Sequence, residues 1–132
     1  MSAELVFEVP DGYWLTSNSR THWAVKQKIV RALREWGKKE AEESHTPRFQ
    51  VARVDYYIQY RTGGRADPAN VYDPVIKSLI DGITDAGVFP DDDDLHVLGP
   101  VPHRDEGKAK PGTHRVRIVI TETELQGRKV AR

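Results

Sequence analysis

Arg65 to Val97 reads RADPANVYDPVIKSLIDGITDAGVFPDDDDLHV, and the fold turns on how this stretch is read. Ile76, Leu79, Ile80 and Ile83 recur at steps of three and four residues, which predicts one apolar stripe on a helix. Asp73 before Pro74 suits an N-cap followed by proline at the first helical position, and Gly87 suits the C-terminal cap. Lys77, Asp81 and Thr84 fall on the opposite, polar side. Acidic clusters bracket the helix: Asp67 with Asn70 before it, and four consecutive aspartates, Asp91 to Asp94, after it.

Moving outward, Gln50 to Tyr60 alternates, with Ala52, Val54, Tyr56, Ile58 and Tyr60 on one side, and Thr62-Gly63-Gly64 ends the strand. Leu95 to Pro102 and His114 to Glu122 read as two more strands. The loop between them carries Arg104, Lys108 and Lys110, so a long hairpin with a basic tip is expected. Upstream, Glu4 to Val9 is a short strand broken by Asp11-Gly12, and Leu15 to Arg20 is a polar loop. Thr21 is expected to cap a helix from His22 to about Glu43, whose stripe is Val25, Ile29, Leu33 and Trp36. Lys26, Arg31, Arg34 and Lys38 lie off that stripe, either as a solvated face or as a face for DNA. The tail after Thr123 is polar and expected to fray. The order β-α-β-α-β-β predicts an α+β fold: a small mixed sheet of about four strands with two helices, in a single domain spanning 1–132.

Composition bounds the function. A chain of 132 residues with 38% hydrophobic and 30% charged residues fits one globular domain. No apolar run approaches the roughly 20 residues of a membrane span, so no membrane partner is expected. The start MSAELVFEVP has neither a basic opening nor a long apolar core, which is compatible with a cytoplasmic protein. The absence of cysteine excludes disulfides, thiolate zinc sites and cysteine nucleophiles. The net charge is zero, but it is segregated. Acids crowd from Asp67 to Asp94, and bases gather at Lys26–Lys39, Arg61–Arg65 and Arg104–Arg117. An anionic polymer on the basic parts, with a cation neutralising the acidic part, is the arrangement this suggests.

Aspartate oxygens are hard ligands suited to Mg²⁺ or Mn²⁺. Phosphodiester hydrolysis uses such an ion to supply hydroxide near neutral pH and to stabilise charge on the phosphate. Asp67, Asp91 and Asp92 are the candidate ligands, and Lys77 is a candidate for contacting phosphate or orienting water. The bland alternative is a solvated, charged turn. The spacing is not that of an EF-hand, and no HExxH, P-loop or GxSxG element is present. His96 follows the acidic run, either touching metal or phosphate or as a partly buried or surface histidine; His22, His45, His103 and His114 receive no role.

At these residues the sequence resembles the RusA family of Holliday-junction resolvases, in a variant form similar to phage and actinobacterial members. The elements that carry the likeness are Asp67-Pro68-Ala69-Asn70, Lys77-Ser78-Leu79-Ile80-Asp81, the link Gly87-Val88-Phe89-Pro90 and the pair Asp91-Asp92. Ser17-Asn18-Ser19-Arg20, the strand leading to Arg61 and Arg65, and the closing Arg117 to Glu122 extend it over most of the chain. The resemblance implies a homodimer that binds branched, four-way DNA and nicks two opposing strands with Mg²⁺. Asp67, Lys77, Asp91 and Asp92 would then be catalytic, with Asn18, Arg20, Arg61, Arg65 and Asn70 binding substrate. Two departures stand out. Ala69 replaces the second aspartate of the first cluster, and Lys77 lies further from Asn70 than in the family pattern. Asp93 could take the place of Asp92 if the loop is shifted by one. Ala69 also leaves open a protein that binds junctions without cutting them, and an acidic domain for Ca²⁺ or a basic protein is a third reading.

Overall fold

The computed structural model describes residues 1–91 and 95–124. Strand alternation does what the pattern predicts. Leu5, Phe7 and Val9 of β1 (Ser2–Pro10) are buried, as are Ala52, Val54, Tyr56 and Ile58 of β2 (Ala52–Gln59). The other strands are β3 (Val97–Arg104) and β4 (Thr113–Glu122), and β4 buries Val116, Ile118 and Ile120. Two helices, α1 (Trp23–Glu43) and α2 (Lys77–Asp85), complete an α+β domain with a four-stranded mixed sheet.

The sheet order is β1-β4-β2-β3, and this corrects one expectation. β3 and β4 are not a hairpin. β4 runs antiparallel to both β1 and β2, so both its edges are taken. β3 instead lies parallel to β2 on the far side, with α2 in the connection between them. The physical reason lies in the side chains. The unbroken β-branched alternation of β4 suits a central strand, whereas Pro100 and Pro102 lack N–H groups and suit an edge.

The helices begin and end for local reasons. α1 is capped by His22, whose Nδ1 accepts the Ala24 N–H at 3.2 Å, rather than by Thr21. Before α2, Asp73 is extended (φ −108°, ψ 116°), as an N-cap residue should be, although its side chain makes no capping bond. Pro68–Val71 and Tyr72–Ile76 are short helical turns that lead into α2. At its far end Gly87 takes φ +88°, its N–H reaches Thr84 O, and Val88 N–H reaches Ile83 O. That pattern of bonds is a Schellman cap, closed by burial of Ile83 and Val88.

The expected stripe of α2 is buried: Ile76, Leu79, Ile80 and Ile83. So is most of that of α1, Ile29 and Leu33 fully and Trp36 edge-on against Phe7 at 5.3 Å, while Val25 stays exposed. The helices cross at Gly37 and Gly82, where any added Cβ would run into the backbone of Leu79 or of Arg34 and Lys38. Glycine costs a mid-helix position about 1 kcal/mol, but here it lets the two backbones approach and seals one continuous core. Of the tail after Thr123 that is expected to fray, residues 125–132 lie outside the described residues. Among the described residues, no helix is long and apolar enough to cross a membrane.

Candidate acidic site and its basic surroundings

Asp67 is placed by the turn it caps. It is extended (φ −118°, ψ 108°), and its Oδ1 accepts the Ala69 N–H at 3.0 Å, with Pro68 filling the first turn position. Its other carboxylate oxygen makes no hydrogen bond among the described residues. The turn is pinned to the sheet by buried Tyr56, whose hydroxyl donates to Pro68 O at 2.9 Å. Burial, with smaller contributions from Tyr60, Asp67 and Tyr72, pushes the Tyr56 hydroxyl up to about 12, so it stays a donor at neutral pH. Tyr60 is also raised, chiefly by burial; Arg104 opposes the shift and Asp67 adds to it. The Asp67 carboxylate therefore lies in the field of both tyrosines.

Asn70 joins this turn to the loop before α1, because its carbonyl accepts the Ser17 N–H at 2.8 Å. Asn18 and Arg20 on that loop are exposed. The Ser17–Arg20 loop and the Asn70 turn, both among the expected substrate-binding segments, thus touch through this one backbone bond. Lys77 and Asp81, one helical turn apart, pair at 3.3 Å and line a small groove with Tyr72, Ile80 and the β3 residues Val97, Gly99 and Pro100. Lys77 preceding Asp81 is the weaker orientation for such a pair, so the contact adds little to helix stability and mainly orients the amine.

Beyond α2, Val88 and Phe89 are buried, and Phe49 N–H holds Val88 O at 2.8 Å. This anchors the approach to Asp91. Asp91 is exposed. Asp92, with its alternative Asp93, and Asp94 lie outside the described residues. Among the described residues no three histidine or acidic side chains gather as a metal site. The described geometry thus brings Asn70 to the Ser17 loop and Lys77 to Asp81.

The basic residues divide. Arg65 is exposed, while Arg61 pairs with Asp11 at 3.2 Å. Asp11 also holds His114 Nδ1 at 3.1 Å, and the His114 ring stacks on Trp14 at 4.2 Å. Burial lowers the His114 pKa, with Asp11 opposing the shift. Arg104, read from the sequence as part of a basic hairpin tip, instead braces the loop that precedes Asp67. It donates to Gly64 O at 2.8 Å and Thr62 O at 3.0 Å, and lies over the Tyr60 ring at 4.8 Å. Nothing local in the sequence marks that role, since it spans forty residues. Lys110 pairs with Glu8 at 3.3 Å.

The face of the sheet away from the helices carries its own network. Arg117 donates to Asp105 and Glu4 and lies 4.0 Å from the Tyr57 ring centroid; these hydrogen bonds raise its pKa. His103 stacks on Tyr57 at 4.4 Å and meets Asp55 at 2.8 Å, where Arg53 also binds. Burial acts to raise the Asp55 carboxyl, but the bonds from His103 and Arg53 outweigh it and hold it below the ordinary carboxylate range.

Compared with protein-family models and with curated proteins, the chain gives no match.

Proposed function

We propose that this protein is a Mg²⁺-dependent, structure-specific endodeoxyribonuclease of the RusA type, acting on four-way DNA junctions as a homodimer. One observation carries the reading: Asp67 and Asn70, then Lys77 and Asp81, then Asp91-Asp92 follow one another in the order of the family's motif around a single helix. The α+β fold with α2 between β2 and β3 is compatible with it. So is the contact between Ser17 and Asn70, which draws the segment bearing Asn18 and Arg20 toward the turn capped by Asp67.

The donor chemistry fits a hard divalent cation. Asp67 keeps one carboxylate oxygen outside its capping bond, and Asp91 is exposed. Asp67, Asp91 and Asp92 would hold the ion, with Mn²⁺ a possible substitute; when bound it supplies an activated water and screens the phosphate charge. The chain's own residues do the rest. Asp81 steers Lys77, whose amine faces the scissile phosphate. Asn70 orients the backbone of the substrate. Arg20 and Arg65 neutralise phosphates to either side, and Arg61 does so from its bridge to Asp11. A two-fold dimer supplies one site per cleaved strand.

The test is a nicking assay on a synthetic four-way junction with Mg²⁺ or Mn²⁺. Paired nicks that Asp67→Asn and Lys77→Ala reduce at least a hundredfold are expected. Full cleavage by Asp67→Asn, or none with either metal, removes the nuclease reading. Ala69, standing where the family has a second carboxylate, favours a second reading: junction binding without catalysis. A gel shift with no cleavage, unchanged by Mn²⁺, would select it. Failure to bind DNA even at low salt would point instead to an acidic domain for Ca²⁺ or a basic protein.

A further inference from the structure

We infer that Trp23 is a stacking platform for an unpaired base at the branch point of the DNA, an inference that rests on branched DNA being the substrate. Trp23 is 71% exposed, more than any other large hydrophobic side chain among the described residues. Trp14 and Trp36, by contrast, pack against the core. The ring also has an aromatic neighbour. His22 stacks against it with centroids 6.2 Å apart and planes at 25°, and His22 is itself fixed by its bond to the Ala24 N–H. An indole beside a second ring, with most of its surface toward solvent, is what a flipped-out or unstacked base requires.

Charge says what kind of partner approaches. From Gly12 to Arg34 there is no acidic residue, while Arg20, Lys26, Lys28, Arg31 and Arg34 are basic. Arg20, Lys28 and Arg31 are exposed, and Lys26 is partly so. Phosphates on either side of a base stacked on Trp23 would meet cations and no repelling carboxylate from this segment. Reach says that the same DNA touches both places. Ser17 is bonded to Asn70, and six residues of extended chain from Ser17 to Trp23 span at most about 22 Å. That is roughly six base-pair steps at 3.4 Å each, well within one arm of a junction. An anionic membrane is the poorer fit. The apolar stripe of α1 is mostly spent on the core, which leaves only Trp23 and Val25 to insert.

The experiment measures binding of the full chain, in chelator, to a labelled four-way junction, a matched linear duplex and phosphatidylserine vesicles. A 2-aminopurine at the branch serves as a second readout. Trp23→Ala should weaken junction binding about tenfold, the size of one lost base–aromatic stack, and leave duplex binding within twofold. It should also abolish the 2-aminopurine response, whereas Trp23→Phe keeps both. The melting temperature should not move, because the side chain lies outside the core. Wild-type junction affinity in Trp23→Ala, equal losses on junction and duplex, or a Trp23 dependence seen only with vesicles would each overturn the inference. Trp23-dependent junction binding without cleavage would remove the nuclease reading and keep this one. Cleavage and binding indifferent to Trp23 would do the reverse.

Discussion

On the open face of the sheet Arg117 is held by Asp105, Glu4 and the ring of Tyr57, and only 24% of its side chain is exposed. At the start of α1 the bases Arg20, Lys26, Lys28 and Arg31 stand in a segment with no acid to hold them. Net charge treats these two regions alike. Physically they differ: a cation with two carboxylates has its field cancelled and serves the fold, whereas cations with no ion pair among the described residues project their field into solvent, where an anion would meet it. The zero net charge of the chain thus hides a basic approach on one segment and a neutral, cross-linked sheet face elsewhere.

The sharpest way to break this contrast is to replace Arg20, Lys26, Lys28 and Arg31 by glutamine together. The slope of log affinity against log salt for junction DNA should flatten by about 3, with a loss near 0.1 M salt of about 3–4 kcal/mol in binding. Urea denaturation should move by no more than about 0.5 kcal/mol. An unchanged salt slope would show that these bases are merely solvated.

The converse change is Arg117→Met. It strands Asp105, which is only 17% exposed, and should cost about 2 kcal/mol by urea denaturation. DNA affinity should stay within threefold, and a larger drop would mean that the open face also meets the substrate.

Tyr56→Phe sets the pinned turn against both regions, and removing the bond to Pro68 should cost about 1 kcal/mol at pH 7. The folded-state pKa is raised, so native Tyr56 holds its proton more tightly than the unfolded chain. Wild-type stability should therefore fall as pH rises from about 10 toward 12, and the variant should lose that part of the fall. Identical alkaline profiles would refute it.

The smallest effect belongs to Asp85→Asn. Among the described residues Arg34, at the end of the acid-free segment, is the base there that pairs, at 2.6 Å with Asp85. The hydrogen bond from Arg34 lowers the Asp85 pKa, so its contribution is present above the ordinary carboxylate range and lost as pH falls through the lowered value. Both partners are well exposed, and about 0.5 kcal/mol is expected. A stability difference between wild type and variant that does not shrink on acidification below the ordinary carboxylate range would contradict this origin.

The secondary structure was legible because burial writes it into the sequence. The period of two in β2 and β4 and the stripe of α2 are direct records of which side faces the core. The cap at Gly87 was readable for the same local reason. Strand neighbours were not, because whether β3 returns beside β4 or beside β2 depends on contacts about forty residues away in sequence. Pro100 and Pro102 were the available sign of an edge strand. At the site, Asp67, Asn70, Lys77 and Asp81 announced themselves by type and spacing. Arg104 under the Thr62–Gly64 loop and Asp11 between Arg61 and His114 did not, since each joins segments that only folding makes adjacent.

The same two prolines have a wider result. Pro100 and Pro102 stand at alternate positions along β3, so two backbone donors that another chain would need are missing from that margin. Among the described strands the sheet can lengthen only by addition beside β1. Self-association through strands would therefore leave the β3 side, with Lys77 and Asp81 next to it, open to solvent, and accidental fibrous growth is blocked on that flank.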